Sequence, residues 1–367
     1  MQLSCSAMLR WIPVFSLLAA FLLPFWSTVA NAESLEKEAP GGKVGKVITF
    51  AYFPMAVPVV VLGETLKRDM ILQQALKQEG VTLAFKPFAK GNDVLPLIRK
   101  GQIDAVMFAD FPSLEAVITG DMLIVGMVKR SFASVVAPQG TRVEQLRKMR
   151  VGNAHGSTSH YTLLQALSSV GLSEKEITLV PLEVNQMADA LASGAIDAFA
   201  AWEPTPTAAF NKYPGRFASI HRQLTNSYFL VSGRLAGEHP AAADALAAAV
   251  ARSVRWMKTG GNLDIASGWA LAAMKDFTGN SPSLSVADIA AITRNDLLDV
   301  SGAPLLSAVE VDKHTPLLKD FEFLKKVGKI PAEAASEKLR SSFMVDLLPR
   351  LMKNPAQYQL NTFEYAQ

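Results

Sequence analysis

Residues 151–167, VGNAHGSTSHYTLLQAL, bring two histidines, three neighbouring hydroxyl side chains and two glycines into one short stretch. Residues of these types can ligate a metal, supply a nucleophile, bind an anion or cap a helix. His155 and His160 have Gly156 between them and no carboxylate beside them, which falls short of a metal site's usual ligand set. A nucleophilic serine needs an oriented base, and neither an acidic partner nor a G-x-S-x-G motif accompanies Ser159 and His160. We therefore predict no metal ligand and no catalytic residue here.

The same stretch has the pattern of a strand, a glycine turn and a helix that begins near Thr158. Gly156 would let the backbone approach a ligand, and the N–H groups of a first helical turn have no partners inside the helix. Together with the helix dipole and the hydroxyls of Ser157, Thr158 and Ser159, these donors could hold an anion. Alternatively, Ser157 or Thr158 simply caps the helix. The residues alone leave both interpretations open.

Aromatic and acidic side chains stand at the ends of two other predicted strands. Tyr52, Phe53 and Pro54 close the first strand, and Trp202 and Glu203 close a later one. The carboxyl ends of strands are where open α/β sheets bind their ligands. These positions are therefore candidate ligand contacts, although the aromatic pair could equally belong to the core and Glu203 could only cap the next helix.

The chain also contains an internal repeat, because residues 92–112 align without a gap with residues 185–205. Each copy has a polar helix start, a glycine at the helix end, a short apolar strand, and an acidic residue near a proline. The aligned pairs include Asn92 with Asn185, Gly101 with Gly194, and Asp110 with Glu203. We infer two similar lobes that present equivalent loops, which adds Asn92 and Asp110 to the candidate ligand contacts.

Composition limits the possible function classes. Of the 367 residues 50% are hydrophobic and 19% charged, which favours a folded chain, and the net charge of +3 without a basic block gives no indication of nucleic acid as a partner. Neither a G-x-x-x-x-G-K-[ST] nor a G-x-G-x-x-G motif occurs, so we predict no nucleotide cofactor. The single cysteine, Cys5, precedes an apolar run that ends near residue 26. We read residues 1–32 as a signal peptide cleaved after Ala32.

The rest of the chain alternates short apolar strands with amphipathic helices from residue 46 to about 232 and then becomes helical. Residues 33–43 are polar and contain glycine and proline, which indicates a linker. The alternation predicts an α/β protein with mostly parallel sheets.

The motifs GSTSHYTLLQAL, ALASGAIDAFAAWEPT and GQIDAVMFADFP resemble the periplasmic substrate-binding proteins of ATP-driven importers, in the aliphatic sulfonate, taurine and nitrate group. The resemblance implies a type II fold of two lobes joined by crossing segments near 131–138 and 226–233. Lobe 1 would comprise residues 44–134 and 232–340, and lobe 2 residues 135–231. Residues 341–367 would form a C-terminal tail.

The resemblance further implies that a small organic anion, first of all taurine, binds between the lobes without chemistry. The turn from Gly156 to His160 would hold the head group, while the contacts after the strands line the cleft. The partners would be an inner-membrane permease and its ATPase, and the protein a periplasmic monomer without metal or cofactor. The loop after Tyr52 and the following helix depart from the group's pattern. The alternatives are a pyrimidine-precursor enzyme, which would need a lysine or cysteine in the cleft that the sequence does not identify, and a ligand-sensing module for a membrane receptor.

Overall fold

The structure is a computed structural model that describes residues 46–306 and 315–366. The predicted signal peptide, the linker and Cys5 lie outside these residues. Within the described ranges, no helix has both the length and the apolar character needed to cross a bilayer.

Eight strands form one sheet in the order β2-β1-β3-β8-β4-β7-β5-β6. The strands are β1 (Lys46–Tyr52), β2 (Val81–Pro87), β3 (Ala105–Ala109), β4 (Met122–Pro138), β5 (Arg150–Asn153), β6 (Thr178–Pro181), β7 (Ala198–Ala201) and β8 (Phe217–Ser232). The outer groups β2-β1-β3 and β7-β5-β6 are parallel, whereas β4 and β8 pair antiparallel with each other and with their outer neighbours. The predicted α/β class with mostly parallel sheets is confirmed.

The repeat predicted from the sequence is visible in the hydrogen bonds. Asp104 exchanges main-chain and side-chain bonds with Thr49 of β1, with its carboxylate accepting from the Thr49 N–H at 2.9 Å. Asp197 does the same with Arg150 of β5, at 2.8 Å. Equivalent residues thus attach equivalent strands, and the two halves of the sheet are copies of one α/β unit.

Helices cover the sheet and continue to the end of the chain. They are α1 (Val59–Arg68), α2 (Met70–Gln78), α3 (Leu95–Arg99), α4 (Asp110–Thr119), α5 (Thr158–Ser169), α6 (Val184–Ala192), α7 (Thr205–Lys212), α8 (Gly233–Glu238), α9 (Pro240–Met257), α10 (Asn262–Thr278), α11 (Val286–Thr293), α12 (Pro316–Lys326), α13 (Ser336–Ser341) and α14 (Leu347–Met352). A π-helical turn follows α11 at Arg294–Leu298.

In the sequence, two apolar runs at 122–128 and 132–137 have the pattern of two separate strands. The polar group Lys129, Arg130 and Ser131 suggests a break, but β4 is continuous because β8 pairs with it along its whole length. Three register irregularities bend the ladder, one of them between Met127 and Lys129. The predicted crossing segments lie within β4 and β8.

The first helices also differ from prediction. The sequence predicts one helix at 66–79, but the chain enters α1 already at Val59 and breaks at Asp69, whose carboxylate accepts from the Leu72 N–H at 3.0 Å and caps α2. Most of α1 is buried, so its sequence does not show the alternation of an apolar and a polar face that marks a surface helix.

The C-terminal segment, for which the sequence predicts only a tail, is packed against the rest of the chain. Arg252 of α9 is 2% exposed and pairs with Asp69, which is 0% exposed, at 2.6 Å. Arg252 also donates to the Tyr358 carbonyl at 3.1 Å, and the Met70 N–H donates to Glu364 at 2.9 Å. One buried arginine therefore joins the start of α2, helix α9 and the end of the chain.

Replacing Arg252 by methionine leaves the Asp69 carboxylate buried without its cation, so we expect the free energy of unfolding to fall by about 3–5 kcal/mol. Urea unfolding of the purified protein measures this loss. Arg350→Met is the matched control, because its pair with Asp244 also fastens the C-terminal segment to α9 but is half exposed at the arginine. That variant should lose no more than about 1 kcal/mol. Equal losses would contradict the role assigned to burial.

Candidate functional site

The largest concentration of predicted ligand contacts surrounds a cavity at the centre of the sheet. Strands β3 and β7 run in opposite directions because β8 and β4, antiparallel to each other, stand between them. Because β3 pairs with residues 227–231 of β8 and β7 with residues 134–136 of β4, near opposite ends of the ladder, the carboxyl ends of β3 and β7 both point to its middle. The cavity is lined from the β1–α1 turn, the β3–α4 junction, the middle of β4 and β8, the start of α5, and the end of β7.

The predicted anion-binding turn forms one wall of this cavity. Gly156 has a φ of +73°, which favours glycine, and Ser157 and Thr158 line the cavity. Ser157 occupies the N-cap position of α5, yet its hydroxyl does not cap the helix: it donates to the Ala154 carbonyl and contacts the Ser159 hydroxyl at 2.9 Å. No described residue accepts a hydrogen bond from the main-chain N–H of Ser159. Ser157 therefore does not cap α5, and the main-chain N–H of Ser159 remains available to a ligand.

His160 and Ser159 support the turn from behind instead of lining the cavity. His160 is 1% exposed, its Nδ1 accepts from the Gly156 N–H at 3.2 Å, and its Nε2 lies 3.0 Å from Glu174. Burial lowers the pKa of His160, which favours the neutral ring. The fold therefore supplies the acidic partner that is missing near this histidine in the sequence, but uses it to hold the turn.

Asp110 lies directly beneath Thr158. Its carboxylate is 1% exposed and accepts from the Phe111 N–H at 3.0 Å, the Thr158 hydroxyl at 3.1 Å and the Asn226 N–H at 3.4 Å. Burial raises the pKa of Asp110 to about 6. Asp110 thus fixes the orientation of the Thr158 hydroxyl and does not itself line the cavity.

The sequence analysis missed the cavity's most distinctive residue, Lys129 of β4. Lys129 lines the cavity and is only 5% exposed. Among the described residues, no carboxylate oxygen lies within ion-pair distance of its ammonium and no acceptor hydrogen-bonds to it. Burial lowers its pKa against the attraction of Asp296, Glu203 and Asp110. The sequence pattern did not identify a lysine for the cleft, and the structure places Lys129 there. The available signal was the polar group at 129–131 between two apolar runs.

Only some of the predicted aromatic contacts line the cavity. Phe53 and Trp202 line the cavity, Phe53 packs on Phe108 with ring centroids 5.6 Å apart, and the Trp202 indole N–H donates to the Met55 carbonyl at 3.0 Å. Tyr52 points to the opposite side of its strand, where its hydroxyl contacts the Lys67 ammonium at 2.5 Å. Tyr52 and Phe53 lie on different sides because successive side chains of a strand face opposite sides.

Three further candidates lie beside the cavity. The Glu203 carboxylate accepts from the Thr207 N–H at 3.3 Å and so caps α7, and burial raises its pKa. Pro54 is buried in the β1–α1 turn. Asn92 packs against Gly156 and lines a neighbouring depression with His155. Among the described residues, no three His, Cys, Asp or Glu side chains are grouped to hold a metal.

The sequence profile of the NMT1-like family matches residues 70–271, more than half of the chain. The chain belongs to the NMT1-like family. Among curated proteins, it is 24% identical over 307 residues to the taurine-binding periplasmic protein of Escherichia coli K12, covering 77% of this chain and 91% of that protein. This likeness confirms the resemblance drawn from the sequence motifs.

Solved structures of similar proteins show the fold of this NMT1-like protein. The alkanesulfonate-binding protein SsuA from Xanthomonas axonopodis pv. citri, bound to MOPS, superposes with a TM-score of 0.59 at 21% identity, covering 79% of this chain and 96% of that one. The nitrate-binding protein NrtA from Synechocystis PCC 6803 gives 0.62 at 13% identity, covering 85% and 90%. The fold is that of the two-lobed periplasmic binding proteins, as the sequence predicts.

Gly156→Ala should destabilise this NMT1-like protein more than Gly171→Ala does. Both glycines have a φ near +70°, so each alanine carries a cost of about 1–2 kcal/mol. Only at Gly156 would the new Cβ meet a neighbour, the Asn92 side chain at 3.0 Å, whereas nothing lies within 4 Å at Gly171. Urea unfolding checks the difference, and Asn92→Ala should relieve part of it. Equal losses in the two alanine variants would show that Asn92 does not confine the turn.

Proposed function

We propose that this protein is the solute-binding component of an ATP-driven import system and binds a small organic anion in the central cavity without chemistry. The observation that carries the proposal is Lys129, a buried ammonium that lines the cavity and has no ion-pair partner among the described residues. A buried charge is costly unless it is paired. An anionic head group in the cavity would supply the missing partner.

The carboxylates near Lys129 are engaged elsewhere, which supports an external counter-ion. Asp110 accepts three hydrogen bonds, Glu203 caps α7, and Asp296 accepts from the Ser131 hydroxyl. Burial raises the pKa of all three groups, so their negative charge is itself disfavoured. A sulfonate, which stays ionised, would fit beside the ammonium.

Uncharged donors complete the proposed head-group site. The start of α5 offers main-chain N–H groups, while the hydroxyls of Ser157 and Thr158 donate to the Ala154 carbonyl and to Asp110. Strand β8 brings the Ser227 hydroxyl, on a residue that pairs directly with Lys129. Hydroxyl and main-chain N–H donors bind an anion without a second buried charge. Such a site can bind its ligand and still release it to a permease.

The remaining walls suit a hydrocarbon group. Phe53, Phe108, Met107 and Trp202 also line the cavity. Each methylene buried there contributes about 0.8 kcal/mol. We therefore expect a sulfonate with a short carbon chain to bind more tightly than nitrate, and taurine, the ligand named for the Escherichia coli relative, to be accepted if its ammonium remains near the cleft mouth.

Closure of two lobes over the ligand is part of the proposal. We assign residues 44–134 and 232–340 to one lobe and 135–231 to the other, with β4 and β8 crossing between them. Contacts that span these segments surround the cavity: Thr158 with Asp110, Trp202 with Met55, and the Lys90 ammonium with Glu183 at 3.2 Å. A ligand that touches both lobes would favour this arrangement.

The proposed setting follows from the relatives, which are named as periplasmic and binding proteins. We propose a periplasmic monomer that delivers its ligand to an inner-membrane permease with its ATPase.

The second candidate function is an enzyme on the same fold. One observation favours it, because such an enzyme requires a lysine in the cleft and Lys129 lines the cavity. This alternative predicts that a bound compound is converted, whereas our proposal predicts full recovery of unchanged ligand after prolonged incubation.

Lys129→Met should weaken binding of butanesulfonate about 10- to 100-fold, because it removes a charge-assisted hydrogen bond while keeping the side chain's length. Isothermal titration calorimetry with butanesulfonate, taurine and nitrate measures this. Lys90→Met is the matched control: Lys90 also lines the cavity but is partly exposed and paired with Glu183, so we expect a smaller loss. If the folded wild-type protein binds none of the three anions, the proposal fails. Equal binding by the Lys129 variant would remove its central argument.

Combined Ser157→Ala and Thr158→Ala should weaken anion binding about tenfold or more, which corresponds to roughly 1.4 kcal/mol. The expected cause is a loosened turn, because the hydroxyl bonds to the Ala154 carbonyl and to Asp110 are lost while the main-chain N–H groups remain. Calorimetry with butanesulfonate and a thermal unfolding scan separate affinity from stability. Unchanged affinity in the folded variant would assign these hydroxyls to local structure alone.

A further inference from the structure

A chain of polar contacts runs from the anion-binding turn to a segment far away in sequence. The Gly156 N–H donates to Nδ1 of His160 at 3.2 Å, and Nε2 of His160 lies 3.0 Å from Glu174. The other carboxylate oxygen of Glu174 accepts from the Lys329 ammonium at 2.9 Å. His160 is 1% exposed, and Glu174 and Lys329 are partly buried.

These contacts determine the protonation of the imidazole. Because Nδ1 accepts a hydrogen bond from the Gly156 N–H, Nδ1 carries no proton, and the ring proton lies on Nε2, where it donates to Glu174. A doubly protonated ring would direct an N–H at the Gly156 N–H. The contact that holds the glycine turn therefore exists only with the neutral ring.

Helix α5 is fastened to the C-terminal segment at a second point. The Tyr161 hydroxyl donates to Asp320 of α12, and the Tyr161 ring packs edge-on against Phe323 with centroids 5.5 Å apart. Neighbouring residues of α5 thus face in two directions. Ser157 and Thr158 line the cavity, while His160 and Tyr161 are tied directly or through Glu174 to residues 320–329.

We propose that His160 is a positioning residue, not a ligand contact, and that Glu174 and Lys329 hold it in the one neutral tautomer that shapes the anion-binding turn. The inference rests on the proposed function and deepens it, because it makes binding at the turn depend on the C-terminal segment and on pH. The sequence analysis assigned His160 to the ligand itself.

The sign of the pH dependence follows from the groups around the ring. His155, with its ring centroid 4.5 Å away, and Lys329 oppose protonation of His160, Glu174 favours it, and burial lowers its pKa below the ordinary value. Protonation of the ring would break its contact with the Gly156 N–H. Affinity is therefore full where the ring is neutral and decreases as the pH falls far enough to protonate it.

Two substitutions at one position test the proposal. In His160→Asn the amide oxygen takes the place of Nδ1 and can accept from the Gly156 N–H, but the side chain does not titrate. We expect near wild-type affinity for butanesulfonate at pH 8 and a smaller loss at pH 5.5 than in the wild type. His160→Ala lacks the acceptor and should bind about tenfold more weakly at pH 8. Equal affinity of His160→Ala and wild type would overturn the positioning role.

A second measurement does not depend on ligand binding. Nitrogen-15 NMR of the labelled imidazole should show the Nε2–H tautomer of His160 in the wild type and in Glu174→Gln, and a loss of that preference in Glu174→Leu. Lys329→Met should shift the His160 signals and raise the ligand's dissociation rate. A wild-type ring protonated on Nδ1 would overturn the inference. If no anion binds the wild type while the Nε2–H tautomer is observed, the proposed function fails and the contact chain remains.

Discussion

The antiparallel ladder between β4 and β8 is the interaction on which the rest of the molecule depends. It runs from Met122 paired with Ser232 to Pro138 paired with Phe217 and joins two three-stranded parallel groups into one sheet. Because β3 and β7 run in opposite directions and pair near opposite ends of the ladder, their carboxyl ends point toward each other. The loops that follow β3 and β7 therefore meet at the middle of the ladder, where Lys129 pairs with Ser227. A break in either central strand would separate these loops.

The internal repeat explains both the similarity and the difference of the two halves. Asp104 and Asp197 attach their neighbouring strands in the same way. The turns after β1 and β5 then diverge: one supplies Phe53, Ala56 and Val59 to the cavity, and the other Ser157 and Thr158. One copy of the unit therefore offers an apolar wall and the other a set of donors. A cavity with this division suits a molecule that has a charged end and a hydrocarbon end.

In the proposed site, the described part of the chain provides partners for the buried carboxylates but not for the buried ammonium. Buried carboxylates such as Asp110 receive hydrogen bonds from fixed protein donors, whereas the buried ammonium of Lys129 has no such partner among the described residues. Under the proposed function, the anionic ligand supplies the counter-charge of the Lys129 ammonium. Behind the turn, His160 accepts from the Gly156 N–H and Glu174 contacts His160. These contacts keep the donors of the turn in place without exposing His160 or Glu174 to the ligand.

The sequence by itself determined the α/β class, the internal repeat and the strand–turn–helix unit at Gly156, because these depend on apolar periodicity and on turn residues that act on their chain neighbours. It also identified Phe53, Ser157, Thr158 and Trp202, which stand where their strands or turns end. Only the tertiary structure decided that Tyr52 faces away, that His160 supports the turn, and that Lys129 lines the cavity. All three features depend on elements that the fold brings together from distant parts of the chain. They are the side of the strand that meets the cavity, the partner of the buried histidine and the environment of the lysine. Local patterns carry no information about those distances.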